Sequence, residues 1–492
     1  MEDAVPKILF SDFVALDKKT LDDYGAFDIS LVADLPLFID PFLLFNSKNP
    51  EYQILHGEII KYLRFLREKS VSQQITPGLL SAWYKFKEVE QNWLGYSVQG
   101  NRGSALGKQF ADALNENFSR IFSDYGDEKI TRGSHLEKLC LIKEGVGKDN
   151  ISDFTTNLIK DYLLRYTEKF AKQNIDAKYC DTFRVRRAKF NYDTETWEDG
   201  IYYLPKHNGD FVILTPKDLL TKDETWINKD DLIDDFYNIP QAITNEELRA
   251  QINNYFRSVL PNTPTKKEES EAVRKTILEY PQVIDYYIKY KEDNGDRAED
   301  ISKKRVDFSE NLYVKQFSEL AQLLAKTPFY QTPTNAYTEI LKRVQFLKHE
   351  IESNDGYKLF YDRHTKQPIE REDDLRICFR LTWYGSSYNF DSEVNNGRGP
   401  VDGKASKGSA DIGLIEYKLA SNKKLEQNLQ SQTPIYQEAN NTDKCVKVII
   451  YFTRSEFYRV QAILKRLKLE NEESIILIDA RADNKPSASI AK

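Results

Sequence analysis

The feature that most constrains the fold is a regular alternation of strand-like and helical segments in the last third of the chain. Three apolar runs have the length of buried strands and lie at 412–420, 447–453 and 474–480. Two amphipathic segments of helical periodicity separate them, at 421–441 and 454–470. Strands that alternate with helices predict an α/β core, so we expect residues 331–492 to form a central mixed sheet flanked by helices.

The rest of the chain predicts two further regions. Residues 1–130 carry mainly helical periodicity, which indicates a mostly helical N-terminal domain. Residues 131–330 mix helices with an alternating segment at 184–216, which predicts a small antiparallel sheet with turns at Glu198–Gly200 and at Asn208-Gly209. The whole chain is therefore predicted to be multidomain, of the α/β and α+β classes, with the middle region sensing substrate or forming an oligomer.

Three local features of the middle region carry further expectations. A helix is predicted over 151–171, with Ser152 as its N-terminal cap. The stretch 261–272 is polar, contains prolines and predicts a linker. The charged stretch 291–305 predicts a solvated loop between two helices.

Composition limits the class of protein without naming an activity. The chain has 492 residues, 40% of them hydrophobic, which is enough to bury more than one core. Its net charge of -7 does not indicate a nucleic-acid-binding protein, but a nuclease needs only a local basic groove. The four cysteines occur singly, which predicts no zinc site and no disulfide framework and favours the cytoplasm. The most apolar stretch, 27–45, contains three aspartates, so we expect no membrane span.

Glu416 and Lys418 are the residues with the clearest chemical meaning. They stand two apart on a predicted strand, so their side chains share one face while Tyr417 points into the core. A turn near 407–410 would bring Asp402 back beside Glu416. Two adjacent carboxylates repel each other unless a cation lies between them, and Mg²⁺ prefers such oxygen ligands. A lysine beside them can orient an attacking water, and these are the components of phosphodiester hydrolysis.

This arrangement resembles the motif of the PD-(D/E)XK nuclease superfamily, whose members share a restriction-endonuclease-like fold. Asp402 and Glu416-Tyr417-Lys418 match the motif, although one residue stands between Pro400 and Asp402 where the family has Pro-Asp. The resemblance implies that Asp402 and Glu416 hold Mg²⁺, or Mn²⁺ in its place, with help from the Tyr417 carbonyl. Lys418 would then position the attacking water.

A second motif follows on the next predicted helix. Gln432 and Tyr436 match the QxxxY motif of RecB-type and lambda-exonuclease-type members. The resemblance implies that Gln432 orients the scissile phosphate or a water, and that Tyr436 braces its helix on the nucleic-acid-binding side. The whole resemblance covers residues 331–492 only.

Members of this kind often supply a further acid from the helix that precedes the sheet. Glu372 is our choice because it shares a helix face with apolar residues, and Glu370 and Glu350 are weaker candidates. Asp411 is an alternative to Asp402 as the metal ligand, because it lies nearer in sequence to the strand acid.

Four basic residues are candidates for contacts with nucleic acid. Arg398 lies between two glycines and could approach a phosphate, although a plain glycine turn explains the pattern equally well. Lys404 could touch the backbone, with a solvated hairpin as the alternative. Arg184 and Arg186 stand among aromatic residues, which suits single-stranded nucleic acid but also a solvated strand face.

Together these residues predict a metal-dependent nuclease, with DNA as the first choice because QxxxY members mostly act on DNA. One alternative is an effector of the same fold that cuts RNA, such as tRNA. Another is a non-catalytic nucleic-acid-binding scaffold with a degenerate nuclease fold. A large sensing region joined to a terminal nuclease resembles bacterial restriction and anti-phage defence effectors, which allows a homo-oligomer and a partner protein that supplies a trigger or an ATPase.

Overall fold

The structure is a computed structural model. It describes residues 7–32, 34–72, 74–95, 111, 115, 125, 128–142, 146–222, 224–325, 335–362, 365–383, 386, 388–395, 400–407, 411–430 and 444–485. Within these ranges, no helix combines the length and the apolar character needed to cross a bilayer. All four cysteines are buried, and none is in a disulfide.

The N-terminal region consists mainly of short helices around one long helix. They are α1 (Phe10–Phe13), α2 (Lys18–Tyr24), α3 (Pro41–Asn46), α4 (Pro50–Ser72) and α5 (Pro77–Leu79), followed by a π-helical segment (Leu80–Tyr84) and a 3₁₀ turn (Glu90–Asn92). Asp40 caps the N-terminus of α3, because one oxygen of its carboxylate accepts a hydrogen bond from the amide of Phe42. The other oxygen accepts a hydrogen bond from the amide of Trp226. This buried cap therefore joins α3 to a segment almost two hundred residues away.

Two helices occupy the segment predicted as one helix. After α6 (Lys138–Ile142), the chain forms α7 (Lys148–Leu158) and α8 (Lys160–Asn174). The prediction that Ser152 caps the helix is wrong, because Ser152 lies inside α7. Its hydroxyl accepts a hydrogen bond from the amide of Ile39 instead, so a tertiary contact and not a helix end explains this serine.

An antiparallel sheet of three strands follows, as predicted. Its strands are β2 (Cys180–Asn191), β3 (Thr196–His207) and β4 (Asp210–Phe211). The turn at Asn208-Gly209 is confirmed, since both residues have positive φ. The turn predicted at Glu198–Gly200 is wrong: these residues lie within β3, and a β-bulge between Val185 and Lys189 accommodates them.

A short pair of strands joins the first part of the chain to the middle. β1 (Leu37–Ile39) pairs antiparallel with β5 (Leu220–Lys222), so that Leu37 lies opposite Lys222. The apolar core is continuous from Ile8 in the N-terminal region to Ala480 near the other end. The middle region and the C-terminal sheet therefore share packing.

Residues 229–325 form a run of helices. These are α9 (Lys229–Asp234), α10 (Glu246–Val259), α11 (Lys266–Glu279), α12 (Val283–Asp293), α13 (Gly295–Ser309), a π-helical segment (Glu310–Gln316) and α14 (Phe317–Ala325). The linker predicted at 261–272 is wrong beyond Thr265, which starts α11 through a capping box with Glu268. The loop predicted at 291–305 is also wrong, because this stretch is helical: it belongs to the end of α12 and to α13, and only Asn294 lies between the two helices.

The C-terminal region is built on a five-stranded mixed sheet. Its strands are β6 (Asn389–Asn395), β7 (Pro400–Lys407), β8 (Asp411–Leu419), β9 (Cys445–Tyr451) and β10 (Ile475–Asp479), in the order β10-β9-β8-β7-β6. β8, β9 and β10 run parallel, and β6 and β7 add an antiparallel hairpin. The predicted mixed sheet with helices is confirmed, although the sequence did not predict the β6–β7 hairpin.

In the described part of the C-terminal region, four α-helices surround this sheet: α15 (Ala336–Ser353), α16 (Glu372–Leu381), α17 (425–430) and α18 (Arg454–Leu467). α15 crosses so close to β8 that a Cβ on Gly413 would lie 2.8 Å from Cδ1 of Ile340. α16 packs through Phe379, whose ring centre is 4.7 Å from that of Tyr417. α17 and α18 cover the apolar end of β9. β8 is thus the middle strand and is enclosed by helices.

Candidate active site

Asp402 and Glu416 meet where the ladder between β7 and β8 stops. The last paired residues are Gly403 and Ile415. Beyond them, the Oδ2 atom of Asp402 accepts a hydrogen bond of 2.8 Å from the amide of Tyr417. Glu416 Oε1 lies 3.4 Å from the amide of Asp402. The antiparallel pairing thus brings the two predicted acids together, while the turn residues 408–410 lie outside the described residues.

Lys418 lies among three carboxylates from three elements. Its Nζ atom is 3.0 Å from Glu416 Oε2, 3.3 Å from Asp402 Oδ2 and 3.6 Å from an oxygen of Glu372. Glu372 comes from the first turn of α16, and its other oxygen accepts a hydrogen bond from the amide of Leu419. The structure therefore brings together four of the residues that the sequence singled out.

Burial dominates the electrostatics of this cluster. Only 6% of Glu416 is exposed, and this burial together with the charge of Asp402 raises the pKa of Glu416 to about 8. Burial alone would lower the pKa of Lys418, but the carboxylates of Asp402, Glu416 and Glu372 outweigh it and raise that pKa. Lys418 therefore keeps its charge and acts as a hydrogen-bond donor.

The donor chemistry of the cluster suits a hard divalent cation. Three carboxylates face one ammonium group, and oxygen ligands are those that Mg²⁺ prefers. Among the described residues, however, no group of three or more acids, histidines and cysteines could hold a metal ion as the side chains stand. The ammonium of Lys418 lies between the carboxylates, so a metal ion could bind there only once Lys418 has moved aside.

Two residues that the sequence analysis missed hold Glu372 in place. Asn422 donates a hydrogen bond of 2.7 Å to Glu372 Oε1. The guanidinium of Arg459, on α18, donates to the carbonyls of Ala420 and Asn422. Neither residue belongs to a recognisable motif, because the contacts depend on how the loop after β8 packs against α18.

Lys447 is a third residue that the sequence analysis missed. It lies on β9 directly beside Glu416, so the two side chains share one face of the sheet. Burial lowers the pKa of Lys447, although Cys445 and the acids Glu472 and Glu416 oppose this shift. Lys447 thus adds a second cationic group beside the carboxylates.

The other candidate acids lie elsewhere. Both carboxylate oxygens of Asp411 accept a hydrogen bond from the amide of Ala336 at the start of α15. Glu350 accepts one from Asn354 at the end of the same helix, and Glu370 is exposed before α16 begins. Glu372 is thus the acid of this set that reaches Lys418.

The predicted nucleic-acid contacts are only partly placed. Arg398, Gln432 and Tyr436 lie outside the described residues. Lys404 is half-buried on β7, near the carboxylate of Asp391. Arg184 and Arg186 belong to β2 in the other sheet, both exposed, and Arg184 pairs with Asp199. The structure therefore does not bring these two arginines to the carboxylate cluster.

Comparison with known proteins gives two matches to families without a described activity. A domain of unknown function, DUF8370, matches residues 15–228. A second domain of unknown function, DUF8371, matches residues 336–454 and so includes every residue of the carboxylate cluster. No curated protein and no solved structure matches the chain.

Proposed function

We propose that the chain is a metal-dependent nuclease with a restriction-endonuclease-like C-terminal core. The observation that carries the proposal is that carboxylate oxygens of Asp402, Glu416 and Glu372 all lie within 3.6 Å of the ammonium nitrogen of Lys418. These side chains come from β7, β8 and α16, and no single secondary structure element would place them together. Strand-borne acids with a lysine two residues on are the arrangement that phosphodiester hydrolysis of this kind requires.

Each residue then has a role that follows from its position. Asp402 and Glu416 would hold Mg²⁺ or Mn²⁺, with the Tyr417 carbonyl as a further oxygen ligand. A bound cation would supply Lewis-acid activation of water and neutralise charge on the phosphate. Lys418 donates hydrogen bonds that orient the attacking water, and Glu372 holds a second water or cation.

The substrate proposed first is DNA, by resemblance to QxxxY members. Lys447 supports an anionic substrate, because it supplies a positive charge on the same face of the sheet as Glu416. RNA requires the same chemistry, so a direct comparison of substrates must separate the two.

The test is cleavage by the purified full chain with Mg²⁺ or Mn²⁺. Linear duplex DNA, circular DNA, single-stranded DNA and total RNA are offered in parallel, with EDTA as a control. Glu416→Gln and Lys418→Met should each lower the rate at least about 100-fold, since the first removes a carboxylate ligand of the proposed metal and the second removes the ammonium group that would orient the water. Glu426→Gln is the matched control, because Glu426 is paired at the surface with Arg466 on α18 and should leave the rate unchanged.

The pattern of results separates the candidate functions. Metal-dependent cutting that fails in both site variants supports the nuclease, and the preferred substrate decides between DNA and RNA. If no substrate is cut and calorimetry detects no binding of Mg²⁺ or Mn²⁺, the proposal is wrong and the non-catalytic scaffold takes its place.

A further inference from the structure

The helix that carries Glu372 is held from the opposite side by residues far away in the sequence. Asp374, two positions after Glu372, is buried. Its Oδ1 atom accepts a hydrogen bond of 2.6 Å from Nζ of Lys222 and one of 2.7 Å from the hydroxyl of Tyr313. We call these three residues, Lys222, Tyr313 and Asp374, the α16 anchor.

The α16 anchor is buried, and further contacts hold Lys222 in place. The side chains of Lys222 and Asp374 are each 5% exposed, and the ammonium of Lys222 lies 4.6 Å from the ring centre of Phe308. Arg305 donates a hydrogen bond to the backbone carbonyl of Lys222. Because a charge left alone in such a place is strongly unfavourable, each partner holds the other in position.

The geometry of a helix connects the anchor with the candidate site. Residues two positions apart on an α-helix point in nearly opposite directions. The first turn of α16 therefore presents Asp374 to Lys222 and Tyr313 of the middle region, and Glu372 to β8. Glu372 continues the connection, since it accepts hydrogen bonds from the amide of Leu419 and from Asn422.

We propose that Lys222 and Tyr313 are positioning residues for the candidate site. Through Asp374 they fix the start of α16, and the start of α16 sets the place of Glu372 beside Lys418. Lys222 belongs to β5, which pairs with β1, so the region predicted to sense substrate or a trigger contacts the carboxylate cluster through one helical turn. The catalytic consequence rests on the proposed function, whereas the structural part does not.

The test uses the full chain with Lys222→Met and Tyr313→Phe. Lys222→Met leaves Asp374 without its cation, and Tyr313→Phe removes one hydroxyl and is the milder change. Arg466→Met is the control, because it breaks an exposed ion pair on α18. Hydrogen exchange followed by mass spectrometry reports on residues 372–381 and on the amide of Leu419, whether or not the protein cuts nucleic acid.

Both anchor variants should exchange faster at 372–381 and at Leu419, while the control exchanges like the parent protein. In the cleavage assay, the Mn²⁺ concentration for half-maximal rate should rise about tenfold and KM for nucleic acid should stay unchanged. Lys222→Arg, which keeps the charge, should restore part of this effect. A merely structural role would change stability without this selective change in metal dependence.

Unchanged exchange at 372–381 in a folded Tyr313→Phe variant would overturn the inference. Faster exchange with an unchanged Mn²⁺ requirement would overturn it as well. If the parent protein neither cuts nor binds metal, the proposed function fails, and exchange at Leu419 alone then decides whether the anchor positions Glu372.

Discussion

At the scale of single residues, the meeting of Asp402 and Glu416 depends on a residue without a side chain. A Cβ on Gly403 would lie 2.3 Å from Cζ of Phe390 and 2.9 Å from Cγ2 of Ile415. Both neighbours are packed in the sheet, so β7 can lie this close to its neighbours only with glycine at this position. Gly403 therefore helps to set the separation between the two acids.

We expect Gly403→Ala to push β7 away from β8, because the added methyl group has no free space. The free energy of unfolding should fall by about 1–3 kcal/mol, and the cleavage rate should fall further than stability alone explains. Urea denaturation and the cleavage assay measure the two effects. Gly57→Ala is the control: Gly57 lies within α4 with open space around it, so alanine there should stabilise the protein slightly.

The sequence predicted which residues meet in the carboxylate cluster better than it predicted the residues that support them. Asp402, Glu416 and Lys418 follow a motif with fixed spacing, and Glu372 could be placed on a helix just before the sheet. Asn422, Arg459 and Lys222 act through contacts with residues tens to hundreds of positions away. No local pattern encodes such contacts, so only the folded structure could reveal them.

At the scale of secondary structure elements, α15 depends on an acid that belongs to another element. Asn335 caps the helix through the amide of Thr338, and Asp411 at the start of β8 accepts a hydrogen bond from the amide of Ala336. The two residues satisfy amides that would otherwise lack partners at the helix start. Asp411 thus joins α15 to the strand that carries Glu416.

We expect Asp411→Ala to lower the free energy of unfolding by about 1 kcal/mol, as the loss of a helix cap does. The cleavage rate per folded molecule should remain close to that of the parent protein. Thermal unfolding and the cleavage assay check the two parts. A loss of activity as complete as that of Glu416→Gln would instead make Asp411 a metal ligand, which is the alternative that the sequence left open.

Elements were predictable where the sequence pattern agrees with the local environment. β8, β9 and β10 are apolar because helices enclose the sheet, and the sequence predicts all three. The β6–β7 hairpin is polar and rich in Asn and Gly, and it becomes part of the sheet only because β8 offers an edge to pair with. The charged stretch 291–305 is helical for a similar reason: Lys291, Glu292 and Ala298 are buried, while most other charged side chains of the stretch face water.

At the scale of the whole molecule, one acid lies deep within the folded chain, Glu137. Glu137 is fully buried, and neither of its carboxylate oxygens has a hydrogen-bond partner among the described residues. Burial and the nearby carboxylate of Asp40 raise the pKa of Glu137 to about 8. The folded protein therefore holds this proton more tightly than the unfolded chain does.

Because the pKa of Glu137 is raised on folding, its contribution to stability is present at low pH and is lost as the pH rises. The loss begins near the ordinary value of 4.5 and continues to about 8. In this window we expect Glu137 alone to contribute about 1 kcal/mol per pH unit to the fall in the free energy of unfolding. Urea denaturation at a series of pH values measures this slope.

Glu137→Gln tests the origin of this slope. The amide does not ionise, so the variant should lose stability more gradually over the same pH range. Part of the slope should remain, because burial also raises the pKa of Asp153 to about 9, that of Glu416 to about 8 and that of Asp40 to about 6. Glu268→Gln is a control at an exposed helix cap. An identical slope in the parent protein and in Glu137→Gln would assign the pH dependence to another group.

The α16 anchor also determines what happens if the polypeptide is divided. A fragment that starts at residue 336 keeps every strand of the mixed sheet but lacks Lys222 and Tyr313, so water would solvate Asp374 and Glu372 would lose its fixed direction. Supplying residues 1–325 as a separate polypeptide would return both missing partners to the same buried contact. In such a two-piece format, slower hydrogen exchange at residues 372–381 would report that the pieces have reassembled around the α16 anchor.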